Sequence, residues 1–286
     1  MGYLFILLFS LLNLGEGIAI KEYGKRHGKG GMLVNALISL FAMTFFIATD
    51  KGGFCFNEKM IPLGIINSVL YASGFYLSFV AYKLGSFGLT KLVSSFSLLF
   101  PIFYGLLFLD EEATVLTFVG IFGILCAIAL INFKKGTQNE NHNFSFKWLL
   151  CILTSAVANG FISIITRYQQ IEFNNEASNE FMIISLGGAF VILTAMSFVL
   201  DRNNFKYILR HGSPYGMVAG AFNGAKNFIT LLIYLYLPIS LSSPIKTGVN
   251  TILAFSVSIL LYKENFTKIQ FVGVALGAIS VILLNI

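Results

Sequence analysis

Apolar runs of about 20 residues, separated by short polar stretches, recur along the whole chain. A helix that crosses a bilayer needs about 20 mostly apolar residues. The pattern predicts ten such helices, at residues 3–20, 31–48, 60–82, 86–109, 115–132, 147–169, 179–200, 214–235, 238–262 and 267–285. Because residues 1–20 lack a basic leader and a small-residue cleavage site, they are predicted to be the first of these helices rather than a signal peptide.

The longest polar stretch, residues 134–146, divides the predicted helices into two sets of five. A shift of 153 residues aligns the fourth and fifth spans with the ninth and tenth. The matching residues are Leu84 with Leu237, Glu111 with Glu264, Thr114 with Thr267, and Phe118-Val119-Gly120 with Phe271-Val272-Gly273. Since each half contains an odd number of spans, the second half must enter the membrane in the opposite direction. We therefore predict an all-α integral membrane protein with ten transmembrane helices, arranged as two inverted five-helix repeats over residues 1–133 and 147–286.

Composition excludes several classes of protein. The chain has 286 residues, of which 56% are hydrophobic and 11% charged, and its mean hydropathy is +0.80. A soluble domain averages about 25% charged residues, so a soluble enzyme or a disordered scaffold is not expected. The net charge of +6 comes from basic residues spread over the gaps between apolar runs, which argues against a nucleic-acid partner. We find no nucleophile or phosphate-binding motif and expect no enzymatic activity.

The repeated acidic motif carries a resemblance to a known family. Asp110-Glu111-Glu112-Ala113-Thr114 precedes an apolar helix containing Gly120, and Lys263-Glu264-Asn265-Phe266-Thr267 precedes one containing Gly273. In these motifs and in its span count the chain resembles the drug/metabolite transporter superfamily, specifically its EamA-type members. The family commonly has a basic residue directly after the glutamate, where this chain has Glu112 and Asn265. The resemblance implies a secondary carrier that moves small metabolites or drugs by alternating access.

Basic residues are unevenly divided between the two sets of loops that alternating spans create. Thirteen lie in the loops after the odd-numbered spans: Lys21, Lys25, Arg26, Lys29, Lys83, Lys134, Lys135, Lys147, Arg202, Lys206, Arg210, Lys263 and Lys268. Three lie on the other side, Lys51, Lys59 and Arg167, and the remaining three of the 19 are inside spans. The positive-inside rule therefore predicts that both termini are outside, whereas the family resemblance implies that both are inside.

Polar residues at helical spacing mark the faces of several spans. The stripes are Ser10, Asn13 and Glu16 in the first span, Thr90, Ser94 and Ser97 in the fourth, Ser155, Asn159, Ser163 and Thr166 in the sixth, Asn223, Lys226, Asn227 and Thr230 in the eighth, and Ser243, Lys246, Thr247 and Asn250 in the ninth. Such a stripe is expected on a helix that lines a cavity or packs on another helix. The same hydroxyls and amides also join membrane helices without any further role.

Charged residues within the spans are the strongest candidates for a functional site, because burying a lysine in hydrocarbon costs about 2.5–3.5 kcal/mol even on insertion scales. Lys226 and Lys246 lie deepest, and Glu16 lies near the end of the first span. We predict a substrate-binding site in a central cavity from Lys226, Lys246, Asn223, Asn227, Asn250 and Asn159, with Glu16 for proton coupling or as a counter-ion. A purely structural salt bridge between Glu16 and a lysine is the alternative. Gly15 and Gly17 flank Glu16 and are expected to permit close approach of another helix or a ligand.

Two lysines and one acid favour an anionic or zwitterionic solute, such as an amino acid or an organic acid. The sequence thus predicts a secondary-active plasma (inner) membrane transporter of a small polar metabolite, with protons as a candidate coupling ion. Two alternatives stay open: a proton-coupled efflux antiporter for cationic drugs that uses Glu16, and a non-transporting membrane scaffold. We expect no cofactor and no metal, because the cysteines are scattered and His27, His142 and His211 fall in predicted loops. Monomer and homodimer are both compatible with the sequence.

Overall fold

The computed structural model describes residues 1–28, 31–50, 58–84, 93–94, 96–112, 114–132, 146–262 and 267–283. Within these ranges the chain forms ten α-helices and no β-strand. The helices are α1 (Gly2–Arg26), α2 (Met32–Thr49), α3 (Met60–Leu84), α4 (Leu99–Phe108), α5 (Val115–Asn132), α6 (Phe146–Glu172), α7 (Ser178–Leu200), α8 (Phe205–Tyr236), α9 (Ile239–Tyr262) and α10 (Lys268–Leu283). Each lies at one of the ten predicted positions.

Six helical segments of the described chain are long and apolar enough to cross a membrane. They are Gly2–Arg26, Met32–Thr49, Met60–Ala81, Phe146–Glu172, Ser178–Leu200 and Arg202–Tyr236. Three shorter apolar segments are Phe96–Phe108, Val115–Leu130 and Lys268–Ser280. The described part is therefore compatible with an α-helical membrane protein. Ten crossings and the inverted repeat stay predictions, and much of the linker and the start of the predicted fourth span lie outside the described residues.

The loop predicted between the seventh and eighth spans, at residues 201–213, is largely helical. The helix that contains the predicted eighth span, α8, begins at Phe205, about two turns before residue 214, and continues through Pro214. A proline inside a helix removes one backbone hydrogen bond and crowds the carbonyl four residues earlier, at a cost of about 3 kcal/mol. The helix on its N-terminal side is held by Ile208, which is completely buried against Tyr23 and Val34, among other residues. Tertiary packing thus overrides the local helix-breaking signal.

The chain divides into two compact units, each of which takes segments from both sequence halves. Unit 1 comprises Met1–Ser10, Leu77–Phe161 and Ile233–Ile286. In it α5 packs along α10, and α9 contacts α4, α5 and α10. The helices α5 and α10 approach closely at two points, where Gly123 faces Ser280 and Gly277 faces Ala127.

Unit 2 comprises Leu11–Tyr76 and Ile162–Leu232. Its helices α2 and α7 pack against each other, and α8 lies against α2 through small residues. The contacts of this glycine ridge are Gly216 with Leu37, Gly220 with Phe41, and Gly224 with Phe45. The absence of side chains on the ridge lets the two backbones approach, as is common between membrane helices.

Candidate functional site

Five polar side chains of α1 and α8 form one connected network inside unit 2. Glu16 accepts a hydrogen bond from Asn223 Nδ2 at 2.8 Å and forms an ion pair with Lys226 Nζ. Lys226 Nζ also donates to Asn13 Oδ1 at 3.1 Å, and Asn227 Nδ2 donates to Asn223 Oδ1 at 2.9 Å. The polar stripes predicted on the first and eighth spans therefore face each other.

Burial makes this network electrostatically strong. Glu16 is 6% exposed and Asn223 5% exposed, while the Lys226 side chain keeps 17% of its surface accessible. An ion pair removed from water must be fully hydrogen-bonded to offset its desolvation. Asn223, which donates to Glu16, and Asn13, which accepts from Lys226, supply those additional bonds. The structural salt bridge, which the sequence left as the alternative for these residues, is thus present between Glu16 and Lys226.

The two glycines beside Glu16 differ. A Cβ at Gly15 would lie 2.8 Å from the ring of Phe222 on α8, whereas a Cβ at Gly17 would meet nothing within 4 Å. Close approach of a neighbouring helix is therefore confirmed for Gly15. The ring of Phe222 occupies the space that the missing side chain leaves, which positions α8 next to the Glu16 carboxylate.

Lys246 lies in a different environment, in unit 1. Its side chain is buried, with 9% exposure for the residue, and its ammonium donates to the Tyr234 hydroxyl at 3.3 Å. The ammonium also lies 4.5 Å from the centroid of the Tyr234 ring and 5.4 Å from that of Phe9. Among the residues that the structure describes, no carboxylate pairs with Lys246.

The contacts of Lys246 can be compared with the cost of burying its charge. A cation–π contact contributes up to about 2 kcal/mol when desolvated. Removing an ammonium from water costs several kcal/mol even after relaxation. A hydrogen bond from a charged ammonium to a hydroxyl adds about 1.5–3 kcal/mol. The two rings and the hydroxyl therefore offset much of the desolvation of Lys246, but they supply no negative charge to balance its positive one.

Buried hydroxyls without partners accompany Lys246 on the same helix. The Oγ atoms of Ser240 and Ser243 are enclosed and have no hydrogen-bond partner among the residues that the structure describes. Ser243 precedes Lys246 by three residues, so both occupy one face of α9. A buried polar atom without a partner is costly and calls for an explanation.

The N-terminus of α9 is capped by a side chain from the segment between α4 and α5. The Glu111 carboxylate, after α4, accepts hydrogen bonds from the backbone N–H groups of Ile239 and Ser240, each at 2.9 Å. These groups have no partner inside their own helix, and a negative charge at a helix N-terminus is also favourable for the helix dipole. The acid of the repeated sequence motif thus anchors the helix that carries Lys246. Its repeat counterpart, Glu264, lies outside the described residues.

The remaining predicted site residues are not part of the Glu16 network. Asn159 is on the surface of α6 and donates to the Ser155 carbonyl at 2.9 Å, and Ser155 Oγ in turn contacts Ser78 Oγ at 2.6 Å. Asn250 is partly buried on α9 in unit 1, on the same side as Lys246. Of the fourth-span stripe, Thr90 lies outside the described residues.

Two histidines that the sequence separated come together in unit 2. His211 lies inside α8 rather than in a loop, and its ring centroid is 5.4 Å from that of His27. His27 Nδ1 and the Tyr207 hydroxyl are 3.0 Å apart. Within the described part of the chain, no group of three metal-ligating side chains occurs. Sequence analysis missed this cluster because the helical extension before Pro214 carries Tyr207 and His211.

Comparisons with known proteins support the fold alone. No protein-family model and no curated protein matches the chain. Among solved structures 29 chains match, including a crystal structure described only as that of a protein. That structure is 15% identical, aligns with 100% of this chain and 96% of its own, and superposes with a TM-score of 0.67. Identity this low indicates a shared fold, and a shared fold does not define a function.

Proposed function

We propose that the chain is a secondary-active membrane transporter of a small polar metabolite, working by alternating access in a plasma (inner) membrane. The observation that carries the proposal is the buried network of Glu16, Asn223 and Lys226 on helices apolar enough to cross a bilayer. Ionisable groups inside membrane helices are expensive and usually belong to substrate or ion pathways. The resemblance to EamA-type carriers in the repeated acidic motif points the same way.

Contacts within each unit support an alternating topology of ten spans. Gly2 packs against Leu237 in unit 1, and both lie on the side of the predicted termini. In unit 2, His27 meets Tyr207, and both lie on the opposite side, which is rich in basic residues. The helix pairs α2–α7 and α5–α10 join positions that the proposed repeat makes equivalent. Inverted repeats are a common design of secondary transporters.

The ion pair between Glu16 and Lys226 is also what a non-transporting scaffold would contain. Lys246 argues against that alternative, because its buried ammonium has no carboxylate partner among the described residues and so adds no stability to a scaffold. A proton-coupled antiporter for cations is the second candidate, and the burial of Glu16 favours it. Its carboxylate is already neutralised by Lys226, however, so a cation would first have to displace that lysine.

Proton-driven transport in proteoliposomes tests the proposal. We expect purified protein to accumulate labelled amino acids or organic acids from a mixed panel when a pH gradient is imposed. Glu16→Gln is expected to abolish gradient-driven accumulation, because its amide cannot take up a proton. The substitution also leaves Lys226 without its ion-pair partner, so solute exchange, which we expect to be retained, shows that the variant is folded. Gly17→Ala is the matched control, because it lies next to Glu16 and its added methyl group would contact no other described atom within 4 Å.

Two outcomes would count against the proposal in different ways. Uptake equal to that of protein-free liposomes for every solute, with and without a gradient, would contradict a transport function. Gradient-driven uptake that survives Glu16→Gln would remove the coupling role from this carboxylate and leave transport itself intact. Competition by cationic dyes, together with a Lys226→Ala variant of normal activity, would favour the antiporter.

A further inference from the structure

The two lysines singled out by the sequence have different electrostatic states. Lys226 is paired with Glu16 and hydrogen-bonded to Asn13, so the network around it is neutral overall. Lys246 has aromatic rings and a hydroxyl around it but no paired carboxylate in the described chain. A substrate charge is therefore needed only at Lys246.

We infer that Lys246, Tyr234 and Ser243 of unit 1 form a subsite for a single carboxylate of the transported solute. The inference rests on the proposed transport function and adds the substrate class to it: a solute with one uncompensated negative charge. The Lys246 ammonium supplies the counter-charge and is held by the Tyr234 hydroxyl, which accepts its hydrogen bond, and the Ser243 hydroxyl is the further hydrogen-bond donor of the subsite.

Two independent observations support this assignment. The first is the ammonium itself, which is buried to more than nine-tenths and stays unpaired by any acid in the described chain. The second is the Ser243 hydroxyl, which is enclosed and has no hydrogen-bond partner within the described ranges. Ser243 is 6% exposed and lies one turn away on the same face of α9. A carboxylate offers acceptor oxygens for both groups at once.

The structure around the subsite is suited to hold these donors in place. Glu111 fixes the start of α9 through two backbone hydrogen bonds. Tyr234 is almost completely buried, so its ring and hydroxyl have a defined position next to the ammonium. Rigid placement of the binding groups lowers the entropy lost when a ligand binds.

Ligand-induced thermal stabilisation of the full-length protein in nanodiscs tests the subsite. The probes are acetate, benzoate and pyruvate, each measured against its uncharged amide, and succinate as a dianion. We expect at least one monocarboxylate to raise the melting temperature above its amide, because a ligand that binds only the folded state stabilises it. Succinate is expected to be weaker, because one ammonium balances only one of its charges.

Variants then assign the effect to the proposed residues. Lys246→Met should weaken binding of the responsive carboxylate by about tenfold or more, and Ser243→Ala by a smaller factor. Lys246→Arg, which keeps the charge, should retain part of the affinity. Lys268→Met, which removes an exposed lysine from α10 in the same unit, should have no effect and controls for general charge.

The results separate the subsite from the transport function. No preference for any carboxylate over its amide, or a preference unchanged in Lys246→Met, overturns the subsite. Carboxylate binding that requires Lys246 in a protein that moves no solute across liposomes supports the subsite and contradicts the transport function. Solute uptake that does not depend on Lys246 or on the negative charge of the solute supports the transport function and contradicts the subsite.

Discussion

Buried lysines of similar depth can have opposite effects on stability, and Lys226 and Lys246 provide such a pair. Lys226 completes an ion pair with Glu16, whereas Lys246 contacts Phe9 and Tyr234 and has no carboxylate partner in the described part of the chain. Removing one member of a buried pair leaves the other charge exposed to a low dielectric. Removing an uncompensated charge relieves a cost instead.

We therefore expect Lys226→Met to destabilise the unliganded protein by about 3 kcal/mol and Lys246→Met to leave its stability unchanged or raise it. Denaturation in detergent, followed by circular dichroism, measures both effects. Adding Glu16→Gln to Lys226→Met should recover most of the loss, since the orphaned charge disappears. A Lys246→Met variant that unfolds as readily as Lys226→Met would show that Lys246 is a structural residue.

For single residues, the sequence identified the polar groups and the possibility of a salt bridge between Glu16 and a lysine, but not which lysine forms it. The spacing of Asn223, Lys226 and Asn227 predicted a polar face, and the depth of Lys226 predicted a charged partner. Which acid or aromatic ring lies opposite depends on contacts between residues more than 200 positions apart, as for Glu16 and Asn223. Local periodicity contains no information about such contacts.

The elements are held together by backbone approach as much as by polar contacts. On α8, a Cβ at Gly220 would lie 2.5 Å from Cβ of Phe41 and 2.8 Å from the Ile38 carbonyl oxygen of α2. Backbone atoms cannot move aside as a flexible side chain can. Gly216, Gly220 and Gly224 recur at every fourth position of the sequence. That spacing predicts a ridge for close helix packing, and the contacts with α2 confirm it.

Gly220→Ala is accordingly expected to destabilise the protein by about 1–3 kcal/mol, because it overpacks the α2–α8 interface. The same methyl group added at Gly17, which has open space around it, is expected to change stability by less than about 0.5 kcal/mol. Thermal denaturation of the two variants in one detergent gives the comparison. Equal melting temperatures would mean that α2 and α8 do not approach as described.

Helix positions were the most predictable feature, because a run of apolar residues specifies a helix in any membrane-compatible fold. Helix ends were less so. The loop predicted before Pro214 is helical since Ile208 packs into a buried cluster, a contact that no local signal reveals. Conversely, Glu111 was identified by its repetition in sequence, but its role as a cap for α9 emerged only from the tertiary structure.

For the whole molecule, the direction of insertion is the feature on which charge distribution and family resemblance disagree. The count of thirteen basic residues against three predicts that both termini lie outside. Two reporters fused after Ile286, one active only in the cytoplasm and one active only outside it, determine the orientation of the C-terminus. We expect activity from the external reporter, and a cytoplasmic signal would contradict the charge-based orientation.

The central claim is that buried charge in these apolar helices serves solute movement. Uptake of labelled amino acids and organic acids into proteoliposomes, compared among the wild-type chain, Lys226→Ala, Lys246→Ala and protein-free vesicles, tests it most directly. The account predicts saturable uptake of at least one anionic or zwitterionic solute by the wild-type protein and loss of that uptake in both variants. Normal uptake by both variants, or none by the folded wild-type protein, would contradict it.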